Sequence, residues 1–187
     1  AELPATTHLS IVDTEGNAVA MTSSIEAAFG SRIMVHGFLL NNQLTDFAFR
    51  PEEDGRPMAN RVEAGKRPLS SMAPTIVYDK AGRIAAVIGS PGGSRIINYV
   101  ARMVLALFAW NLPPAEAVAL PHYGSRNGPT ELERGTPAEA LRPALEKLGH
   151  VVTEQDMTSG LSVILRVDDD EWIGAADPRR EGAAWGE

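Results

Sequence analysis

The stretch GSPGGSRI, residues 89–96, decides how the middle of this chain folds. Two consecutive glycines, Gly92 and Gly93, precede a segment from Arg95 to Trp110 in which apolar residues recur at helical spacing. Glycines in front of a helix let the backbone approach a ligand closely, and the first N–H groups of the helix have no partner within it. The stretch predicts a turn and helix that either bind an anion or oxyanion or serve packing alone.

Strand and helix patterns lie on both sides of this stretch. A β-hairpin is predicted from His8–Asp13 and Ala18–Ser24, which flank the turn residues 14–17. Further strands are predicted at residues 75–78, 84–88, 151–152, 161–167 and 172–175, and further helices at 114–120 and 137–148. This order predicts an α/β (α+β) layered sandwich, and no linker divides the chain into two domains.

Composition excludes several classes of protein. The chain has 187 residues, is 44% apolar and carries a formal charge of −7, which is typical of one globular domain and unlike a nucleic-acid or anionic-membrane binder. No apolar stretch reaches the roughly 18 residues of a membrane span. Cys is absent and the four His residues lack metal-ligand spacing, so no metal site is predicted.

Two other segments carry reactive or ligand-binding groups. Thr6, followed by Thr7 and His8, lies at the mouth of the predicted hairpin. A Thr hydroxyl needs a neighbouring base to act as a nucleophile, and the free α-amino group of an N-terminal Thr is one such base. Ser70 and Ser71 present two hydroxyls that can bind a carboxylate. Taken alone, each segment also fits an ordinary strand edge or loop.

The order of five motifs resembles the small subunit of the γ-glutamyltranspeptidases. These motifs are TTH (6–8), LLNNQ-x-x-DF (39–47), KRPLSSM-x-PT (66–75), GSPGGSRI (89–96) and ADPR (176–179). The resemblance covers nearly the whole chain from Thr6 onward. It implies the αββα sandwich of an N-terminal-nucleophile hydrolase, of which this chain is the C-terminal half.

The resemblance implies autoproteolysis of an inactive precursor between Ala5 and Thr6. Residues 1–5 are then a residual pre-cleavage segment, and residues 6–187 are the catalytic region of the small subunit. Thr6 is implied as the nucleophile for cleavage and turnover, and its freed amino group as the base. Gly92 and Gly93 are implied to supply N–H groups to the oxyanion.

The implied substrate is a γ-glutamyl amide such as glutathione. Ser70 and Ser71 match positions that hold its α-carboxylate, and Gln43 and Asp46 match positions that hold its α-amino group. The γ-glutamyl group is transferred from an ester on Thr6 to water or an amino acid, and no cofactor is required.

This sequence departs from the family pattern at the second strand and in one loop. Many members carry Thr two residues before Asn, whereas this chain has Ser24 and Glu26. Ser24 keeps the hydroxyl that supports the nucleophile. Glu26 places a carboxylate beside the α-amino site, which either strengthens ammonium binding or shifts the acyl preference. The loop before Lys66 is shorter than the family's lid and lacks its Tyr.

The resemblance also implies a partner, the large-subunit half of the same precursor, so that residues 1–187 alone are expected to be inactive. A higher oligomer is compatible with the sequence, and the compartment, whether periplasmic, secreted or cytoplasmic, depends on upstream sequence. Two alternatives stay open. One is a related acylase acting on a glutaryl or other acyl amide, and the other is an unprocessed structural or binding fragment.

Overall fold

A computed structural model describes residues 5–169 and 171–186. The first strands are β1 (Thr6–Val12) and β2 (Ala18–Ser24), which pair as a hairpin around Asp13, whose carboxylate accepts the N–H groups of Glu15 and Asn17. The predicted hairpin is therefore confirmed. Of the predicted pre-cleavage segment, Ala5 is described, whereas residues 1–4 lie outside the described residues.

The described chain forms two compact units. The first contains residues 5–6 and Ser23–Ser71, and the second contains Thr7–Thr22 together with residues 72–186. The sequence shows no linker at this division because the chain passes between the units within strands β1 and β2 and again after Ser71.

The first unit is built mainly from turns and short strands. Its strands are β3 (Met34–Val35), β4 (Phe38–Leu39), β5 (Glu52–Glu53) and β6 (Arg56–Pro57), and a 3₁₀ turn spans Gln43–Asp46. β3 pairs with β4 and β5 with β6, both antiparallel. Phe47 is buried, whereas Phe49, in the loop that precedes Lys66, is 87% exposed.

The second unit is organised around a four-stranded antiparallel sheet. Its strands β7 (Thr75–Tyr78) and β8 (Ile84–Gly89) pair with each other, and β8 also pairs with β12 (Ser162–Arg166), which pairs with β13 (Trp172–Ala176). Strand β8 is a nearly continuous apolar run because it lies inside the sheet and is buried over its last four residues.

Helices cover this sheet. The stretch after Gly93 forms a 3₁₀ turn, Gly93–Arg95, and then helix α1 (Ile96–Phe108), which packs on β8. Helix α2 (Pro114–Ala119) packs on α1, β12 and β13. Its first residue is Pro, which suits a position where a helix N–H has no partner. The core contains Ala86, Ile88, Ile96, Tyr99, Val100, Met103, Ala106, Leu107, Ala117, Val118, Met157, Leu161 and Val163.

The structure contains a second sheet of three strands, of which the sequence predicts only one. Strands β9 (Tyr123–Ser125), β10 (Thr130–Glu133) and β11 (Val152–Gln155) form it, with β10 in the centre. The sequence predicts only β11 among these, because β9 is three residues long and shows no apolar alternation. The helix predicted at 137–148 is a 3₁₀ helix, Pro137–Leu141, followed by α3 (Arg142–Lys147), whose second residue is Pro143.

The ADPR motif anchors the end of β13. Arg179 donates from Nε and Nη2 to the carboxylate of Glu133, at 2.5 and 2.8 Å, and from Nη1 to Asp177 at 3.1 Å. The fully buried Asp177 also accepts the Ser159 hydroxyl at 2.5 Å. These charge-assisted hydrogen bonds satisfy buried carboxylates, so the motif has a structural role in this unit.

His8 connects the hairpin to the central sheet. A side chain at Gly89 would place its Cβ only 2.0 Å from Cε1 of the imidazole, so the ring packs directly on the β8 backbone. Its Nδ1 lies 2.8 Å from the Thr22 hydroxyl and its Nε2 lies 3.2 Å from the Ser10 hydroxyl. Burial lowers the pKa of His8 to about 4, so the ring is neutral near pH 7.

Candidate active site

Thr6 and Ser24 meet at the open end of the hairpin. Thr6 begins β1 and Ser24 ends β2, and their side-chain oxygens are 2.9 Å apart in a hydrogen bond that either hydroxyl can donate. Both residues are half-buried. The two hydroxyls predicted to act together are therefore in contact within the first unit.

The peptide carbonyl before Thr6 is held by two donors. The N–H of Ile25 donates to the carbonyl oxygen of Ala5 at 3.3 Å, and the Ser24 hydroxyl donates to the same oxygen at 3.4 Å. Both are long hydrogen bonds, and the two donors belong to adjacent residues at the end of β2. Donors aimed at a carbonyl oxygen stabilise the negative charge that develops when a nucleophile adds to the carbonyl carbon.

Glu26 is held in an uncommon backbone conformation. Its φ of +70° lies in the left-handed region, which a residue with a side chain rarely adopts and which often marks functional sites. Its N–H donates to Ser24 Oγ at 2.8 Å, and Asn42 Nδ2 donates to its carboxylate at 2.6 Å. The first hydrogen bond holds the Glu26 backbone against the Ser24 hydroxyl, and the second orients the Glu26 carboxylate.

Gln43 and Asp46 complete a group of acceptors around Glu26. Gln43 Nε2 donates to the carbonyl of Ser24 at 3.2 Å, while its Oε1 is buried and has no hydrogen-bond partner among the described residues. Burial, and then the charge of Glu26, raises the pKa of Asp46. Two carboxylates with an unpaired amide oxygen are costly without a cation, so this group suits a ligand ammonium.

Ser70 and Ser71 lie in a segment without regular secondary structure in the same unit, with Ser70 exposed and Ser71 half-buried. Asn60 joins this segment to the acceptor group, because its Oδ1 accepts the N–H of Leu69 at 3.0 Å and its Nδ2 donates to the carbonyl of Asp46 at 2.6 Å. Sequence reasoning missed Asn60, Asn42 and the N–H of Ile25. Of these, only Asn42 lies inside one of the five motifs.

Gly92 and Gly93 form the predicted turn of the second unit. Their φ values are +140° and +59°, and a Cβ on Gly92 would lie 2.5 Å from the Tyr99 ring. The N–H of Arg95 donates to the carbonyl of Gly92 at 3.3 Å, which closes the turn before α1. Both glycines are therefore required by conformation, and Gly92 by space as well. Their role toward an oxyanion stays a prediction.

The second unit also contains a cavity outside the predicted site. A cavity of about 1220 Å³ in the second unit is lined by Asp13, Arg83, Trp172 and Trp185, among others, and by none of the predicted site residues. Within residues 5–169 and 171–186, no three His, Cys, Asp or Glu side chains are grouped closely enough to hold a metal ion. The helices described there are all too short or too polar to cross a bilayer.

Comparison with known proteins identifies the family of this chain. Residues 1–187 match the family described as gamma-glutamyltranspeptidase. The glutathione hydrolase proenzyme of Escherichia coli (strain K12) is 42% identical over an alignment of 186 positions that covers 93% of this chain and 31% of that protein. The acylase ACY 1 proenzyme of Pseudomonas sp. (strain SE83) is 34% identical and matches 95% of this chain and 31% of that protein.

A solved structure extends the likeness to three dimensions. The γ-glutamyltranspeptidase of Pseudomonas nitroreducens, complexed with L-DON, has a TM-score of 0.84 at 32% identity, over 97% of this chain and 99% of that one. The fold is thus that of the N-terminal-nucleophile hydrolases, as the motifs predict. The chain belongs to the γ-glutamyltranspeptidase family and corresponds to its C-terminal part. It spans about a third of the length of the curated relatives it matches.

Proposed function

We propose that this chain is the nucleophile-bearing part of an enzyme that hydrolyses or transfers γ-glutamyl groups through an ester on Thr6. The observation that carries the proposal is the 2.9 Å contact between the Thr6 and Ser24 hydroxyls beside a polarised Ala5 carbonyl. Membership of the γ-glutamyltranspeptidase family supports the reaction class.

The first step of the proposal is self-cleavage. Thr6 Oγ1 adds to the carbonyl carbon of Ala5, the C–N bond to Thr6 breaks, and the Thr6 nitrogen takes up the proton that its hydroxyl loses. Water then hydrolyses the resulting ester and leaves the Ala5 carboxylate and the free amine of Thr6. Ser24 and the N–H of Ile25 stabilise the charge on the carbonyl oxygen during the addition.

Turnover repeats this chemistry on a γ-glutamyl amide. The amine of Thr6 accepts the hydroxyl proton, Oγ1 adds to the γ-carbonyl carbon, and the protonated amine half of the substrate leaves. Gly92 and Gly93 supply N–H groups to the oxyanion. Water or an amino acid then takes the γ-glutamyl group from the ester and returns Thr6 to its starting state.

Charge determines which acyl group is accepted. Glu26 and Asp46 provide two carboxylates, and Gln43 Oε1 provides an unpaired acceptor, so an α-ammonium bound there gains ion pairs and a hydrogen bond. Ser70 and Ser71 are proposed to bind the α-carboxylate. Glutathione, the substrate class in the names of several relatives, carries both groups on its γ-glutamyl end.

The proposal includes a partner, namely the remainder of the precursor, and a higher oligomer stays a prediction. The test uses the full-length precursor. Mass measurement is expected to give a cut between Ala5 and Thr6, and Thr6→Ala is expected to leave the chain intact. Thr7→Ala, which changes the exposed neighbour, is the matched control and is expected to be cut. A wild-type precursor that stays whole after long incubation would instead support an unprocessed structural or binding protein.

A related acylase acting on a glutaryl or other acyl amide is the second candidate, and the 34% identity to the acylase ACY 1 proenzyme favours an acylase. A glutaryl group lacks the α-ammonium, so Glu26 and Asp46 would face no positive charge. Release of p-nitroaniline from γ-glutamyl and glutaryl p-nitroanilides separates the two candidates. We expect a higher kcat/KM for the γ-glutamyl compound, and an equal or reversed preference would overturn the transpeptidase assignment.

A further inference from the structure

Glu131, on strand β10, brings two guanidinium groups together. Arg95 donates to it from Nε at 2.7 Å and from Nη2 at 2.9 Å, and Arg126 donates from Nη2 at 2.7 Å. The Glu131 side chain is only 12% exposed, against 24% for Arg95 and 42% for Arg126. A bidentate pair that is largely withdrawn from water fixes geometry more strongly than a surface ion pair. The hydrogen bond from Arg95 is the main reason why the pKa of Glu131 is lowered.

Both arginines lead back to the turn that contains Gly92 and Gly93. Arg95 ends the 3₁₀ turn that begins at Gly93, and its N–H closes that turn on the Gly92 carbonyl. Arg126 Nη1 donates to the Ser94 hydroxyl at 2.8 Å. Glu131 therefore holds the two residues that directly follow Gly93, one through its own side chain and the other through Arg126.

This turn needs support on both sides. Two glycines in succession have the most conformational freedom of any dipeptide, yet an N–H group stabilises an oxyanion only when its direction is fixed in advance. Before the glycines, the buried Ser90 hydroxyl donates to the Pro91 carbonyl at 2.6 Å and accepts the N–H of Gly160 at 3.1 Å. After the glycines, Glu131 and its two arginines provide the corresponding support.

We propose that Glu131 is a positioning residue for the reaction, which fixes the N–H groups of Gly92 and Gly93 through Arg95 and Arg126. This inference rests on the proposed function, in which those N–H groups meet the oxyanion. Loss of a whole oxyanion donor typically costs about 100- to 1000-fold in kcat, and a misdirected donor costs less. Glu131→Gln keeps the shape but removes the charge, and is expected to lower kcat about tenfold with KM changed by less than about twofold.

The experiment compares variants of the full-length protein. Glu131→Gln is measured with Arg126→Gln, the double variant and a control, Asp156→Asn, which removes an exposed ion pair with Arg134. Kinetics with γ-glutamyl p-nitroanilide give kcat and KM, and hydrogen exchange reports the amides of residues 89–98. We expect lower kcat and faster exchange in Glu131→Gln and Arg126→Gln, near wild-type values in Asp156→Asn, and a double variant no slower than Glu131→Gln.

The kinetic and exchange results can each contradict the proposed role of Glu131. A kcat for Glu131→Gln equal to that of Asp156→Asn would overturn the inference, as would unchanged exchange over residues 89–98. If Glu131→Gln fails to fold, Arg126→Gln, whose side chain is 42% exposed, carries the same test. A wild-type protein without turnover would refute the proposed function, while the exchange of residues 89–98 would still show whether Glu131 restrains the turn.

Discussion

Ser24 Oγ lies 2.9 Å from Thr6 Oγ1 and 3.4 Å from the carbonyl oxygen of Ala5, so one hydroxyl contacts both sides of the bond proposed to break. Ser24 Oγ also accepts the N–H of Glu26 at 2.8 Å. That bond orients the Ser24 hydroxyl toward Thr6 and Ala5, because one of its lone pairs is already occupied. We therefore expect a Ser at this position to support the nucleophile as the family resemblance implies.

Ser24→Ala is predicted to slow both self-cleavage and turnover. Removing one partner of a partly buried hydrogen bond costs about 1–3 kcal/mol, which corresponds to about 5- to 150-fold in rate. Ser24→Thr keeps the hydroxyl and is expected to retain most activity. Ser23→Ala, which alters the exposed neighbour on the same strand, is the control. Rate constants for precursor cleavage and kcat for a γ-glutamyl anilide are the measurements, and full activity of Ser24→Ala would contradict the assigned role.

Glu26→Gln is predicted to shift the pH dependence of kcat/KM. Burial and the charge of Glu26 raise the pKa of Asp46, and Asp46 must be ionised to bind an ammonium. Activity is thus lost as pH falls through the pKa of Asp46. Removing the neighbouring charge lowers that pKa, so the acidic limb should move to lower pH.

The same substitution also removes one of two charges that attract the substrate, so KM at neutral pH is expected to rise. Glu53→Gln, on an exposed strand of the same unit, is the control and should change neither quantity. An acidic limb that stays in place or moves to higher pH in Glu26→Gln would show that Glu26 and Asp46 do not act on each other during binding.

His8→Gln is predicted to reduce the loss of stability in mild acid. Burial lowers the pKa of His8 to about 4, below its ordinary value of 6.5. Between these values the unfolded chain takes up a proton at His8 that the folded chain does not, so stability falls as pH decreases from 6.5 to 4. In His8→Gln this contribution is absent, and the unfolding midpoint should change less over that range.

Thermal unfolding at several pH values measures this difference. His150→Gln replaces an exposed His of the same unit and is the matched control. It should follow the wild-type pH dependence. If His8→Gln and His150→Gln behave alike between pH 6.5 and pH 4, then protonation of His8 is not coupled to unfolding.

Local sequence patterns predicted those strands and helices in which apolar residues recur at a regular spacing. The β1–β2 hairpin, β7 and α1 are confirmed within one or two residues, because each has a clear apolar repeat and a turn or Pro at its end. The buried residues of α1 include Tyr99 and Arg102, neither of which is aliphatic. The Tyr99 ring packs on His122 and Arg102 donates to the carbonyl of Pro121, and no repeat within the helix indicates these contacts.

The candidate site could be predicted from sequence motifs but not from hydrophobic periodicity. Thr6, Glu26 and Gln43 each form a hydrogen bond with Ser24 at the end of the hairpin, and only Thr6 and Gln43 of these four residues lie in the five motifs. The residues missed are those that act through distant contacts or through the backbone. The Ile25 N–H is common to any residue, and Glu131 lies 36 positions from Arg95, so neither has a local signature.

Gly92→Ala is predicted to destabilise the protein more than an alanine at another glycine with positive φ. At Gly92 the added Cβ meets the Tyr99 ring at 2.5 Å, whereas at Gly82, with φ of +80°, it meets nothing within 4 Å among the described residues. Gly82→Ala therefore measures the backbone cost alone, which is typically about 1–3 kcal/mol. Gly92→Ala adds a clash with a ring that is itself buried in the core.

Denaturant unfolding of Gly92→Ala, Gly82→Ala and Gly92→Ala/Tyr99→Leu separates these two costs. The smaller Leu side chain leaves room for the new Cβ, so the double variant should be more stable than the sum of the single effects predicts. Additive effects would mean that the Tyr99 ring does not restrict Gly92. In that case conformation alone would require the glycine, and any loss of activity in Gly92→Ala would have to come from the direction of its N–H group.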